Sequence, residues 1–160
     1  LYVDMFNTLG ANAVPMPFPE LYSAMETKTV DGQENPETTV DASKFYEVQK
    51  YFSATRHIYN PQMLMVSKTF WDSLSADEKK IFEEAAIEAR DVQRKAARAM
   101  TDKSRKVLTD HGMLLNEIAP AELARMRDAV KPVTDKYAAQ LDQGLVKAFY
   151  AELEKTKNLK

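Results

Sequence analysis

Three carboxylates that could do acid–base chemistry lie close together in the sequence. They are Glu20, Asp31 and Glu34, all within the proline-rich stretch 10–36. Paired carboxylates can act as general acid and general base. Each also fits a structural role: Glu20 in the first turn of a helix, Asp31 in an Asp-Gly turn, and Glu34 as an acceptor in a polar loop. The structural roles are the simpler interpretation, and we expect no enzyme.

The histidines and cysteines offer little further chemistry. The chain has no cysteine, which excludes disulfides, thiol nucleophiles and cysteine–zinc sites. His57 and His111 lie far apart, and neither has a second ligand at metal-binding spacing. No GxSxG, HExxH, P-loop or dinucleotide motif occurs. The sequence therefore predicts no catalytic residue, no metal and no cofactor.

Length and composition predict one ordinary domain with a hydrophobic core. The chain has 160 residues, of which 44% are apolar, so it should bury enough surface to fold. Its net charge is −2 and it has no block of basic residues, which argues against nucleic acid as a partner. No run of about 18 apolar residues occurs, so no transmembrane helix is predicted.

The proline-rich stretch 10–36 separates short helices. Apolar residues at helical spacing predict a first helix over 1–9, which ends at Gly10. Prolines then favour extended backbone until Pro19, which suits the first turn of a second helix. A turn and a polar loop follow, and helical spacing predicts a third helix over 37–51.

Two strands are predicted next, over 56–59 and 62–66, separated by Asn60 and Pro61. The second is apolar at almost every position, which is typical of a strand buried on both faces. A further short strand is predicted over 113–118. The helix, short extended segment, helix and polar loop at the start of the chain already form half of an α/β unit.

A long helix is predicted between these strands. Ser75 and Glu78 have the spacing of a capping box, and no proline or glycine follows Ala76 until Gly112. The helix would be on the order of 50 Å long. It has an alanine-rich apolar stripe and charges of both signs, which favours a helix across a protein surface over a membrane-surface helix. Another helix begins at Pro120, and Pro132 is expected to kink or restart it.

The stretch LGANAVPMPFPELYSAMETKTVDGQENP, continued by KFYEVQKYFSATRHIYNPQMLMVSKTFWDSLSADEKK, resembles the DctP-type solute-binding proteins of TRAP transporters. The similarity runs in order over about residues 1–80 and is weaker beyond. It implies the α/β two-lobe fold of periplasmic binding proteins. In that fold, residues 1–58 would belong to the second ligand-binding lobe. Residues 59–160 would form a hinge-crossing strand, the long helix and C-terminal helices that pack across the lobes.

The family's receptors are about twice as long as this chain. The resemblance therefore implies a truncated, C-terminal half of a receptor, with the N-terminal lobe missing and a signal peptide in its precursor. It also implies periplasmic localisation, a small organic acid as ligand and TRAP membrane permease subunits as partners. Which organic anion is bound stays open.

The resemblance also implies ligand-binding residues. Asn35 matches the family's asparagine that hydrogen-bonds the ligand carboxylate, and Phe18 matches the wall beneath the ligand. Gln62 matches a cleft-facing polar position. Glu34 would orient the family's anchoring arginine, whose position lies before Leu1, so this chain lacks it.

His57 and Tyr59 are further positions that could line the ligand site. The implied mechanism is capture by closure of two lobes around the ligand. A second interpretation is a structural or partner-binding helical module without its own ligand, such as a domain-swapped homodimer of half-receptors. The long helix and the lobe surfaces that it would leave exposed motivate this alternative.

Overall fold

The structure is a computed structural model that describes residues 1–59 and 61–156. The chain divides into two compact units. One comprises Pro19–Glu117, and the other combines Leu1–Phe18 with Ile118–Lys160. The assignment of residues 1–58 to a second ligand-binding lobe is a statement about a larger protein and stays a prediction.

The terminal unit is helical in its described part. Its helices are α1 (Tyr2–Thr8), α6 (Pro120–Ala138) and α7 (Gln143–Thr156). Helix α1 packs on α6, where the Asp4 carboxylate accepts hydrogen bonds from Lys136 Nζ at 2.7 Å and Tyr137 OH at 3.2 Å. Helix α6 continues through Pro132, so of the two expected effects the restart is wrong and the kink stays a prediction. Pro132 is exposed, so the backbone carbonyl that loses its donor lies on a solvated face.

The described part of the central unit contains four α-helices and two strands. They are α2 (Leu21–Glu26), α3 (Glu37–Ala42), β1 (Tyr51–Ala54), α4 (Lys68–Ser73), α5 (Ala76–Asp110) and β2 (Leu114–Glu117). Strands β1 and β2 pair in parallel, with Tyr51 opposite Leu114 and Ala54 opposite Glu117. The connection between them carries α4 and α5, as a parallel pair requires a crossover.

The capping-box prediction for α5 is confirmed. Ser75 Oγ accepts a hydrogen bond from the Glu78 backbone N–H, and Glu78 Oε2 accepts one from the Ser75 backbone N–H at 2.8 Å. Two free amides at the helix start are thereby satisfied. Neither α5 nor any other described helix is long and apolar enough to cross a membrane.

The core of the central unit forms where α3 packs against α5. Its buried residues are Met25, Val40, Phe45, Leu108 and Met113. Phe45 is 2% exposed, whereas Tyr51, at the start of β1, is 59% exposed.

Two secondary-structure predictions in the central unit are wrong. The helix expected over 37–51 ends at Ala42, because Lys44 adopts a left-handed backbone conformation with φ 54°, and a 3₁₀ turn and β1 follow. The strands expected over 56–59 and 62–66 are not formed by the described residues; Asn60 lies outside them. Residues 62–66 are exposed, and an apolar strand needs a neighbouring strand for its backbone hydrogen bonds.

The α3–α5 core predicts a strong effect at Leu108, which is 0% exposed. We expect Leu108→Ala to lower the free energy of unfolding by about 2–5 kcal/mol, because it leaves a cavity beneath Val40 and Phe45. Denaturation followed by circular dichroism measures the change. Lys103→Ala, at an exposed position of the same helix, should stay within about 0.5 kcal/mol. Equal effects of the two variants would contradict this description of the core.

The contact between α1 and α6 predicts an acid-sensitive stability. The pKa of Asp4 is lowered, mainly by the hydrogen bond from Lys136 and then by that from Tyr137. A depressed folded-state pKa stabilises the fold at pH values above the unfolded carboxyl pKa, and this stabilisation is lost as the pH falls through the folded-state pKa.

We therefore expect Asp4→Asn to be less stable than the unaltered chain near neutral pH and to differ from it less at low pH. Urea denaturation at roughly pH 7 and pH 3 measures the two differences. Asp128→Asn, at an exposed position of α6, is the matched control. A difference that does not change with pH would contradict the stabilising role of the Asp4 carboxylate.

Candidate functional site

The polar loop between α2 and α3 holds the candidate ligand residues. Pro36 is the N-cap of α3, with an extended backbone at φ −69° and ψ 159°. Proline also restricts the residue before it to extended conformations, which constrains the backbone of Asn35. The loop is therefore held at its C-terminal end by the start of α3.

The side-chain amides in this region form a hydrogen-bonded chain. Asn35 Nδ2 donates to Gln33 Oε1 at 2.6 Å, and Gln33 Nε2 donates to Gln49 Oε1 at 3.1 Å. All three residues are half-buried. Because an asparagine amide carries two N–H groups, Asn35 keeps a second N–H that could donate to a ligand.

Glu34 lies beside His57, which follows β1. Glu34 Oε2 is 3.3 Å from His57 Nε2, and His57 Nδ1 is 2.7 Å from Thr55 Oγ1. Arg56, which lies between Thr55 and His57 in the sequence, has a backbone φ of 47°, in the left-handed region. The structure thus brings two of the sequence-predicted residues together, although the expected role of Glu34 in orienting an arginine stays a prediction.

An ion-pair network holds the start of α3 against α5 and β2. Arg105 donates from Nε and Nη2 to Glu37 Oε1, at 3.0 and 2.7 Å, and from Nη1 to Glu117 Oε1 at 2.8 Å. Arg56 Nη2 donates to Glu117 Oε2 at 2.8 Å. The hydrogen bond from Arg105 is the main reason that the pKa of Glu117 is lowered. The hydrogen bond to Glu37 is the main reason that the pKa of Arg105 is raised.

Arg105 is the residue in this region that sequence reasoning missed. It lies in a long helix with many charges, where its spacing resembles that of solvated arginines and lysines. Its side chain is nevertheless only 29% exposed, and that of Glu37 is 16% exposed. No motif marks the pair, because Glu37 is 68 positions away in the sequence.

The other predicted ligand residues lie outside these contacts. Phe18 belongs to the terminal unit and is 50% exposed. Tyr59 is 87% exposed, and Gln62 is exposed on the segment that does not form a strand. Their roles stay predictions. Within the described part of the chain, no three histidine, cysteine, aspartate or glutamate side chains are grouped to hold a metal ion.

Curated relatives support the similarity of the chain to solute-binding proteins. The model of the DctP family, described as bacterial extracellular solute-binding protein, family 7, matches residues 1–141. The sialic acid-binding periplasmic protein SiaP of Vibrio cholerae is 33% identical over 137 residues, which are 86% of this chain and 42% of SiaP. The C4-dicarboxylate-binding periplasmic protein DctP of Rhodobacter capsulatus is 33% identical over 146 residues, which are 91% of this chain and 44% of DctP.

Solved structures show the same fold. A TRAP periplasmic solute-binding protein from Ochrobactrum anthropi is 50% identical with a TM-score of 0.94, over 99% of this chain and 50% of its own. The sugar acid binding protein DctPAm of Advenella mimigardefordensis, in complex with galactonate, is 40% identical with a TM-score of 0.83, over 97% and 50%.

The chain spans less than half the length of these two curated relatives and half the length of the two solved proteins. The family resemblance and the periplasmic binding protein-like fold class predicted from the sequence are confirmed. The matching family is one of solute-binding proteins rather than enzymes. This chain belongs to family 7 of the bacterial extracellular solute-binding proteins, the DctP family.

Proposed function

We propose that the chain is the C-terminal part of a periplasmic receptor that binds a small organic anion and delivers it to a TRAP-type membrane permease. The observation that carries the proposal is the family match over residues 1–141. The named ligands of its relatives include sialic acid, C4-dicarboxylates and galactonate, which all carry a carboxylate. The proposed ligand is therefore a carboxylate. We propose that the receptor binds it without a cofactor and without catalytic turnover.

The Asn35 loop supports carboxylate binding on chemical grounds. A carboxylate only accepts hydrogen bonds, so its site must present donors. Asn35 has an N–H group beyond the one that it gives to Gln33, and the loop is held by Pro36 and by the Arg105–Glu37 pair. A donor on a fixed support loses little conformational entropy when the ligand binds.

The remaining contacts are proposed from the family resemblance. Phe18 would form the wall beneath the ligand, and Gln62 would present a polar group to the cleft. His57 and Tyr59 would line it, with Glu34 acting through a neighbouring arginine. That anchoring arginine would lie in a lobe N-terminal to this chain, where its planar fork binds a carboxylate bidentately.

The proposed mechanism is capture by lobe closure. Residues 1–58 would lie in one ligand-binding lobe, and residues 59–160 would provide the hinge-crossing strand and the helices that span both lobes. The ligand shifts an existing equilibrium between open and closed states, and it does so only as far as its affinity for the two states differs. The closed receptor would then dock on the permease. A precursor with a signal peptide would place it in the periplasm.

A partner-binding half-receptor is a second candidate function. Its specific support is the run of exposed apolar residues at 63–66, in which Leu64 is 78% and Met65 79% exposed. In a domain-swapped homodimer, a second copy would cover this surface. Light scattering on the 160-residue chain tests the candidate: a single dimeric species that binds no organic acid favours it, and a monomer excludes it.

The receptor proposal predicts a loss of affinity when Asn35 is shortened. In the complete receptor, we expect Asn35→Ala to weaken carboxylate binding by about 1.5–3 kcal/mol, the usual contribution of a hydrogen bond to a charged group. Isothermal calorimetry measures it with a panel of acids bound by similar solved proteins. The panel is galactonate, D-glucuronate, β-D-galacturonate, D-erythronate and succinate.

Asn116→Ala, at an exposed asparagine of the same unit, is the matched control and should leave the affinity unchanged. Unchanged affinity in Asn35→Ala would contradict the assignment of Asn35 as a ligand contact. Absence of binding by the unaltered receptor across the panel would count against an organic acid of these classes as its ligand.

A further inference from the structure

The amide chain from Asn35 through Gln33 to Gln49 has a defined direction. Asn35 Nδ2 donates to Gln33 Oε1 at 2.6 Å, and Gln33 Nε2 donates in turn to Gln49 Oε1 at 3.1 Å. These hydrogen-bonded amides join the polar loop to Gln49, which lies between the 3₁₀ turn and β1. They therefore connect two segments that are 16 positions apart in the sequence.

We infer that Gln33 and Gln49 are positioning residues that hold the Asn35 amide with a donor toward a carboxylate ligand. The inference rests on the proposed function of Asn35 and extends it to two residues that need not touch the ligand. Their role would be to set which atom of the Asn35 amide the ligand meets.

The physical reason is that a side-chain amide has two ends with opposite hydrogen-bonding character. Rotation of Asn35 by half a turn about its last torsion exchanges the Nδ2 donor and the Oδ1 acceptor. In the rotated state Oδ1 would face Gln33 Oε1, and two acceptors without a proton between them repel each other. The hydrogen bond to Gln33 therefore disfavours rotation of Asn35.

Gln33 needs the same constraint, because rotation of its own amide would present a donor to Asn35. Gln49 provides it: Gln49 Oε1 accepts from Gln33 Nε2, so rotation of Gln33 would lose that bond. The three side chains are half-buried, which reduces the access of water that could replace the lost partners. Gln49 also lines a surface pocket, so a substitution at this position has room.

A double-mutant cycle tests whether Gln33 acts through Asn35. In the complete receptor, Gln33→Met removes the donor and acceptor but keeps the length of the side chain. We expect it to weaken binding of the best-binding acid of the five-acid panel by about three- to tenfold, the range of one neutral hydrogen bond. In the Asn35→Ala background the same substitution should cause no further loss, because residues that act together are not additive.

Gln93→Met, the same chemical change at an exposed position of α5, is the control and should not change the affinity. Equal losses for Gln33→Met with and without Asn35 would overturn the inference. An unchanged affinity for Gln33→Met alone would also overturn it. Thermal unfolding of each variant separates these results from a loss of folded protein.

Two substitutions at Gln49 test the direction of these hydrogen bonds. They also provide an independent test if the Gln33→Met variant does not fold. Gln49→Glu keeps an acceptor for Gln33 Nε2, whereas Gln49→Met removes it. We expect Gln49→Glu to bind the same acid more tightly than Gln49→Met does. A simple charge effect predicts the reverse order, since an added carboxylate repels an anion, and that order would overturn the inference.

The same measurements distinguish failure of the proposed function from failure of the positioning role alone. If the unaltered receptor binds none of the five acids, or if Asn35→Ala leaves the affinity unchanged, the proposed role of Asn35 fails and the inference fails with it. If Asn35→Ala weakens binding but the cycle is additive, the proposed function stands and only the positioning role is wrong.

Discussion

The candidate site depends on the packing of α3 against α5. Leu108 of α5 is buried with Val40 and Phe45, and one turn earlier Arg105 binds Glu37 in the first turn of α3. The apolar contact fixes the position of α3, and the ion pair fixes its N-terminal end. Since the polar loop leads directly into that end, its orientation follows from these two contacts. A partly buried ion pair also needs both partners, because either charge alone would be costly to desolvate.

Local signals in the sequence predicted the elements that depend on local contacts. Ser75 and Glu78 satisfy amides within one turn of each other, so their spacing alone identified the start of α5. The strand expected over 62–66 depends instead on a neighbouring strand, which an apolar run does not specify. The same limit applies to the Arg105–Glu37 pair, because an arginine on a charged helix has no local feature that distinguishes a buried partner from solvent.

The site itself was predicted by resemblance rather than by pattern. The segment that contains Glu34 and Asn35 matched a family, and the structure adds partners that the match did not name. Gln33 and Gln49 hydrogen-bond along one chain, and His57 lies beside Glu34. These contacts join the loop to the segments on both sides of β1. A receptor loop held from several directions is consistent with a site that must present fixed donors to a ligand.

A crystal structure of the complete receptor with the acid that binds it best would show whether Asn35 contacts the ligand. We predict a carboxylate oxygen of that acid at about 2.9 Å from Asn35 Nδ2, a normal hydrogen-bond distance, with the hydrogen bonds from Asn35 to Gln33 and from Gln33 to Gln49 intact. A bound carboxylate that Asn35 does not contact, or that lies against its Oδ1 atom, would contradict the proposal that this loop presents a donor to an organic anion.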